Sequence, residues 1–245
     1  MQVIFSDPYY HASLNRHTSP QLDQLANDFT EKEELKAHVG VLKHKFETAQ
    51  EALIHGDLHT GSLMVTADNT YVLDHEFAFY GPIGFDIGAF ICHLLMAYIA
   101  SYGHEEERGA TRNEQRQWLA STVAELWRTF AERFKTLWTE AVREDKSGAS
   151  LKSVFGERSQ GLESIQDEVM DQMWRDALGY GGCKMIRRVL GVAHVADLEK
   201  IQDKDRRSRC EEAVLSLAET MVLQGHKLGT ISSPEEIISN IKARP

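Results

Sequence analysis

The chain has 245 residues, 42% of them hydrophobic and 26% charged, which is enough for one large domain or two small ones with a proper core. A formal net charge of -10 excludes the basic face that a nucleic-acid binder needs, while leaving room for a nucleotide held by a divalent ion and a few local cations. Cys92, Cys183 and Cys210 lie far apart with no C-x-x-C pair, which fits reduced thiols in a cytoplasmic protein, and MQVIFSDPYY shows no basic region followed by an apolar run.

The first thirty residues, with Asp7-Pro8 and Ser19-Pro20 among polar neighbours, read as loop and short turns. Thr30 and Glu33 form a capping-box pattern ahead of a helix carrying Leu35, Val39, Leu42 and Phe46 on one face and running towards Leu53. After HGDLHTGS come two extended runs, Leu63 to Thr66 and Tyr71 to Leu73, joined by Asp68-Asn69 as a hairpin turn. Ile87 to Ala100, IGAFICHLLMAYIA, is fourteen residues interrupted by His93. That is short for a membrane span of roughly 20 apolar residues and reads as a buried central helix.

Thr111 and Glu114 give a second capping-box pattern, opening a long amphipathic helix with Leu119, Val123, Leu126, Phe130, Phe134 and Leu137 in one stripe. Three tryptophans lie close to that stripe and read as core. The periodicity lapses between Lys146 and Gly161, and helices are expected over about Leu162 to Leu190, Val195 to Gln202, Arg206 to Leu228, and from Ser233 onward. The expected fold is mostly α with one small β-hairpin, in a single domain.

The chemistry concentrates between His55 and Gly88, in HGDLHTGSLMVTADNTYVLDHEFAFYGPIGFDIG. A phosphoryl transferase needs one carboxylate to orient an attacking hydroxyl and take its proton, and another acidic group to hold Mg²⁺ against the phosphates. Asp57 precedes the hairpin while Asp74 and Glu76 follow it, so the hairpin returns the chain to bring both acidic sites towards one space. Oxygen ligands of this kind suit Mg²⁺. His55 reads as a scaffold for the loop, and Asp86 as a brace acting through backbone amides. Ser62 reads either as a metal-side oxygen or as a polar turn residue. From spacing alone, Arg187 and Arg188 read as a solvated helix face.

His-Gly-Asp, a short hairpin and an Asp together resemble the catalytic core of the aminoglycoside phosphotransferase and choline kinase group, relatives of protein kinases. HGDLHTGS, the Asp-x-Glu of Asp74 and Glu76, and the run to Gly88 are more similar to the 5-methylthioribose kinase family. So are GYGGCKMIRRVLGVAHVADLE from Gly179 to Glu199 and FSDPYYHASLNRHTSPQLD from Phe5 to Asp23. The resemblance implies Asp57 as base on the sugar's 1-hydroxyl, and Asp74 and Glu76 on Mg²⁺ and thereby the ATP phosphates, with Ser62 beside them. It implies Arg187 and Arg188 at the substrate or the transferring phosphoryl group, and Asn15 and Arg16 near the sugar; His17 stands where some members have Trp.

No Gly-x-Gly-x-x-Gly and no Val-Ala-x-Lys-like strand precedes His55. Residues 1–245 are therefore expected to form the C-terminal, catalytic-loop lobe of a kinase-like fold, with the N-terminal nucleotide-gripping lobe absent and the chain inactive by itself. The expected partners are ATP, Mg²⁺ and a small sugar, with no nucleic acid and no membrane. An exposed hinge-side surface is compatible with a homodimer. The alternatives are a non-enzymatic binding or dimerisation remnant and a related aminoglycoside- or choline-type kinase.

Overall fold

The computed structural model describes residues 1–144, 161–224 and 233–241. Helices α1 (Gln2–Phe5), α2 (Asp23–Glu31) and α3 (Glu33–Thr48) lead into strand β1 (Ala52–Ile54). Strands β2 (Leu63–Val65), β3 (Thr70–Val72) and β4 (Phe79–Gly81) precede α4 (Ile83–Arg108) and α5 (Asn113–Arg143). Helices α6 (Leu162–Leu190), α7 (Ala196–Glu199), α8 (Lys204–Gln224) and α9 (Pro234–Asn240) follow.

The expected hairpin is present as β2–β3, with Leu63 opposite Val72 and Val65 opposite Thr70. A second antiparallel pair was missed: β1 meets β4, with Ala52 opposite Gly81 and Ile54 opposite Phe79. Its partners lie 25 or more residues apart and span three residues each, too short for alternation to declare itself. The helix expected to run towards Leu53 therefore stops at Thr48.

The N-terminal segment, read as loop, holds α1, a 3₁₀ turn at Asp7–Tyr9, and α2. Burial of Ile4, Phe5, Tyr9 and Leu22 orders it, in pieces shorter than a hydrophobic period can reveal. Both capping boxes are also corrected. Thr30 lies inside α2, where its hydroxyl donates to the Asn27 carbonyl at 2.8 Å. Helix α3 opens after Lys32 and α5 after Arg112, neither with a side-chain cap bond. Acidic residues in the first turns, Glu33 and Glu34 in α3 and Glu114 in α5, face the positive end of each helix dipole instead.

Helix α4 is the buried central helix that its composition suggested, with Phe85, Ala89, Ile91, Leu95, Met96 and Ile99 sealed from solvent. It crosses α6 so closely that a Cβ on Gly88 would stand 2.1 Å from the Ala177 carbonyl oxygen. Glycine is required there, and the approach fixes α6 against the loop leading into α4. The α5 stripe is core only at its start: Leu119 and Val123 are buried, but Leu137 is 53% exposed and Trp118, expected in the core, is 61% exposed. Trp127 does meet Trp174 of α6, with ring centroids 4.8 Å apart. Residues 145–160 and 225–232, which include most of the expected Ser/Gly-rich connection and the expected end of the helix from Arg206, lie outside the described residues.

Candidate active site

The loop between β1 and β2 is held from several sides. Gly56 adopts φ +83, and a Cβ there would stand 2.3 Å from the Phe77 carbonyl oxygen, so the turn admits only glycine without rearrangement. Asp86, in the first turn of α4, accepts the backbone N–H of His55 at 2.5 Å and of Gly56 at 3.1 Å. Burial pushes its carboxyl up in spite of those two amides. This is the brace expected of it. His55 accepts the Asp57 N–H on Nδ1 at 3.3 Å, which leaves the Nε2 proton for the Leu73 carbonyl at 2.8 Å. The scaffold reading of His55 holds, and its bond to Leu73 ties the loop to the residue before Asp74.

Asp57 emerges from this turn with its carboxylate one-third exposed. Its Oδ1 accepts a 3.0 Å hydrogen bond from Nζ of Lys184 on α6, and its Oδ2 lies 3.7 Å from Nε2 of His59. Burial acts most strongly on this carboxyl and acts upward. The Lys184 charge and hydrogen bond, followed by His59 and Arg188, outweigh it and leave the group below the usual aspartate range. His59 accepts Gly61 N–H on Nδ1 at 3.0 Å, and burial holds the ring below its ordinary value despite Asp57. Its ring stacks on that of His93, 5.2 Å away, a buried imidazole that desolvation pushes down to about 3.

The arginine pair is not a solvated face. Arg188 is buried and donates through Nη1 to the Ala193 carbonyl. Arg187 is half-buried, its ionisation lowered by burial and then by the Arg188 charge, with Asp57 acting in the opposite sense. Asp74 and Glu76 are exposed, Asp74 with a positive φ of 66. Ser62 is buried and its hydroxyl donates to the Asp57 carbonyl at 3.1 Å, so it braces the loop. Asn15 and Arg16 are tied elsewhere. Asn15 donates to the carbonyls of Asp7 (2.7 Å) and Tyr10 (2.9 Å), and the exposed Arg16 pairs with Glu199 at 2.7 Å. A cavity of about 780 Å³ is lined by apolar side chains such as Leu53, Leu58, Ile87, Phe90 and Phe130. It includes Asp86 but neither Asp57 nor the arginines, so the reactive groups converge elsewhere.

One carboxylate kept ionised, two more on the adjoining segment, and cations converging from a single helix make up the charge distribution of a phosphate-transfer site. Residues 1–132 match the model of the phosphotransferase enzyme family (APH). The chain belongs to that family. It is 40% identical over 242 residues to methylthioribose kinase 2 of Oryza sativa subsp. japonica, covering 99% of this chain and 55% of the relative. It is 42% identical over 226 residues to methylthioribose kinase 1 of the same organism, covering 92% and 52%. It is 35% identical over 233 residues to the methylthioribose kinase of Escherichia coli O45:K1 (strain S88 / ExPEC), covering 94% and 54%. The chain spans about half the length of the curated relatives it matches.

In this member of the family, sequence reasoning missed Lys184, His59 and His93. Lys184 carried a signal: it precedes Arg187 by three residues and Arg188 by four, which puts all three on one helix face, and it interrupts a small and apolar run, GYGGCKMI. His59 and His93 meet only in the fold. Among the described residues no cluster of three or more His, Cys, Asp or Glu side chains forms a metal site. Mg²⁺ keeps several waters and is bound through one or two carboxylates together with substrate phosphates. Asp74 and Glu76 have the right donor chemistry and are open to solvent to receive it.

Proposed function

We propose that these residues form the catalytic-loop lobe of a small-molecule kinase that transfers the ATP γ-phosphoryl group to the 1-hydroxyl of 5-methylthioribose, a cytoplasmic step of methionine salvage. The observation that carries the reading is the ionised Asp57, fixed at the mouth of a braced loop beside a cationic helix face. The methylthioribose kinases among the relatives support the choice of sugar.

In this reading Asp57 orients the sugar hydroxyl and takes its proton as the oxygen attacks the γ-phosphorus. The bond from that phosphorus to the bridging oxygen breaks, and ADP leaves with the electron pair. Asp74 and Glu76 hold Mg²⁺, which neutralises phosphate charge when bound. Arg187, half-buried beside Asp57, offers its guanidinium to the transferring group, while Arg188 is committed to Ala193 and acts through its charge. Leu53, Met64, Val65, Tyr71, Val72, Phe77 and Tyr80 are exposed on and beside the two small sheets. That apolar surface is suited to a covering lobe that would grip the rest of the nucleotide.

The test is a sugar, choline and aminoglycoside panel with Mg·ATP. It is run on these 245 residues and on the same residues fused behind the N-terminal half of a rice relative. The fused protein should prefer 5-methylthioribose, and Asp57→Asn should lower its kcat on the order of 10²-fold or more. Higher kcat/KM for choline or an aminoglycoside would overturn the substrate. Equal turnover by both proteins would overturn the need for a covering lobe.

A further inference from the structure

We propose that Lys184 is a positioning residue for the base: its ammonium ties Oδ1 of Asp57 and so presents Oδ2 as the oxygen that accepts the substrate proton. This rests on the assignment of Asp57 as the base of a phosphoryl transfer.

A carboxylate on a short loop can rotate about its last bond and exchange its two oxygens, and each rotation misplaces the proton acceptor. Lys184 removes that freedom from behind. Its Nζ is 3.0 Å from Oδ1, and its side chain is 1% exposed. The ammonium also lies over the ring of Phe85, 4.6 Å from the centroid. A group sealed to that degree touches neither sugar nor phosphate in this arrangement; it acts on the reaction only through Asp57. Arg187 differs in being partly open to solvent. Lys184 also reaches its position on a rigid element, because α6 is locked against α4 where Gly88 meets Ala177. The direction of the carboxylate is thereby set by the helix pair and not by the loop alone.

The second consequence is electrostatic. The groups facing Asp57 are Lys184, Arg187 and Arg188 from α6 and His59 from its own loop, with the neutral His93 of α4 stacked behind His59. Of these, Lys184 makes the hydrogen bond and the strongest downward contribution to the Asp57 carboxyl. Remove it, and burial drives the carboxyl upward against the charges of His59, Arg188 and Arg187 alone, with no hydrogen-bonded cation. Lys184 in turn has its own ionisation lowered by burial and supported by Asp57. The two charges need each other.

The experiment is a ¹³C NMR titration of the Asp57 side-chain carboxyl in the 245-residue chain, for wild type, Lys184→Met, Lys184→Gln and Lys184→Arg. Wild type should titrate below the ordinary aspartate midpoint of about 3.9. Lys184→Met and Lys184→Gln should both move the midpoint above it, and Lys184→Arg should keep it low. On the preparation that turns over in the substrate panel, Lys184→Met should lower kcat roughly tenfold, with sugar KM within about twofold. The acidic limb of its pH profile should move upward with the NMR midpoint. A wild-type midpoint at or above the ordinary value overturns the proposal whether or not any variant folds, and so does an unmoved midpoint in either charge-removing variant. An upward shift in a protein with no kinase activity would instead refute the assigned reaction while upholding the Lys184–Asp57 coupling.

Discussion

Removing the Asp57 carboxylate strands a buried ammonium, so Asp57→Ala should cost stability as well as activity. Breaking a fully buried ion pair by deleting one partner costs about 3–5 kcal/mol, because the survivor keeps its desolvation penalty. Lys184 meets that condition at 1% exposure, but Asp57 at 33% retains contact with water, so the cost is expected at about 2 kcal/mol. For a chain of this size that corresponds to a melting temperature lower by about 4–8 °C. Asp57→Asn keeps a carbonyl acceptor for Lys184 and should lose about half as much. Lys184→Met removes the sealed charge and leaves a carboxylate that water can still reach, so it should be close to neutral. The double variant Asp57→Ala/Lys184→Met should then recover most of the loss, with a coupling energy of about 1–2 kcal/mol. Urea unfolding of the four proteins at pH 7 measures the cycle. The pH dependence has a definite sign. Asp57 is lowered in the folded state, so its contribution is complete above the unfolded midpoint of about 3.9 and fades as pH falls through the folded one. The gap between wild type and Asp57→Ala should therefore close in acid. Additive single effects, or an Asp57→Ala loss no larger than that of the exposed Asp68→Ala, would refute the argument.

Asp74→Asn should raise the Mg²⁺ concentration needed for half-maximal nucleotide binding by at least about tenfold, since losing a direct ligand should cost no less than losing an outer-shell partner; a Mg²⁺ titration of the fused protein checks it. Gly88→Ala should destabilise by about 3 kcal/mol or more, because its methyl would stand 2.1 Å from the Ala177 carbonyl oxygen, and a melting temperature within about 2 °C of wild type would contradict the close crossing. The 245-residue chain alone should bind Mg·ATP no tighter than roughly millimolar, as isothermal titration can measure; micromolar binding would show that the groups described here grip the nucleotide unaided.

The elements legible in the sequence were those with several turns of pattern. The apolar run in α4, the four- and three-residue spacing of Leu35, Val39 and Leu42 in α3, and the bounds of α6 all appear where the periodicity put them. Pairing over distance was not legible: β1 and β4 are three-residue strands whose order comes from each other and from the helices beneath. Likewise, the α5 stripe continues past the body that could bury it, so the same pattern is core at Val123 and surface at Leu137. In the candidate site, Asp57 could be found because its surroundings in sequence are distinctive. Lys184 could be suspected only from its place on the arginine face, because its partner lies 127 residues away.

That asymmetry has a physical origin in how the loop is ordered. Between Ile54 and Leu63 the chain forms one short 3₁₀ turn, Thr60–Ser62, and the backbone at Gly56 is left-handed. Local propensity alone would leave such a segment mobile. Its order is imposed by groups delivered from outside: the Asp86 carboxylate from α4 on two amides, the Leu73 carbonyl on His55, and the Lys184 ammonium from α6 on Asp57 itself. Two of those three anchors come from the helix pair whose spacing is set where Gly88 meets Ala177. A methyl at position 88 would therefore disturb the Asp57 carboxylate without touching it, by shifting Lys184 relative to Asp86 and pulling the two ends of the carboxylate's support apart. The geometry of the Asp57 carboxylate is a property of the α4–α6 crossing, and the short motif records only where on the chain that carboxylate stands.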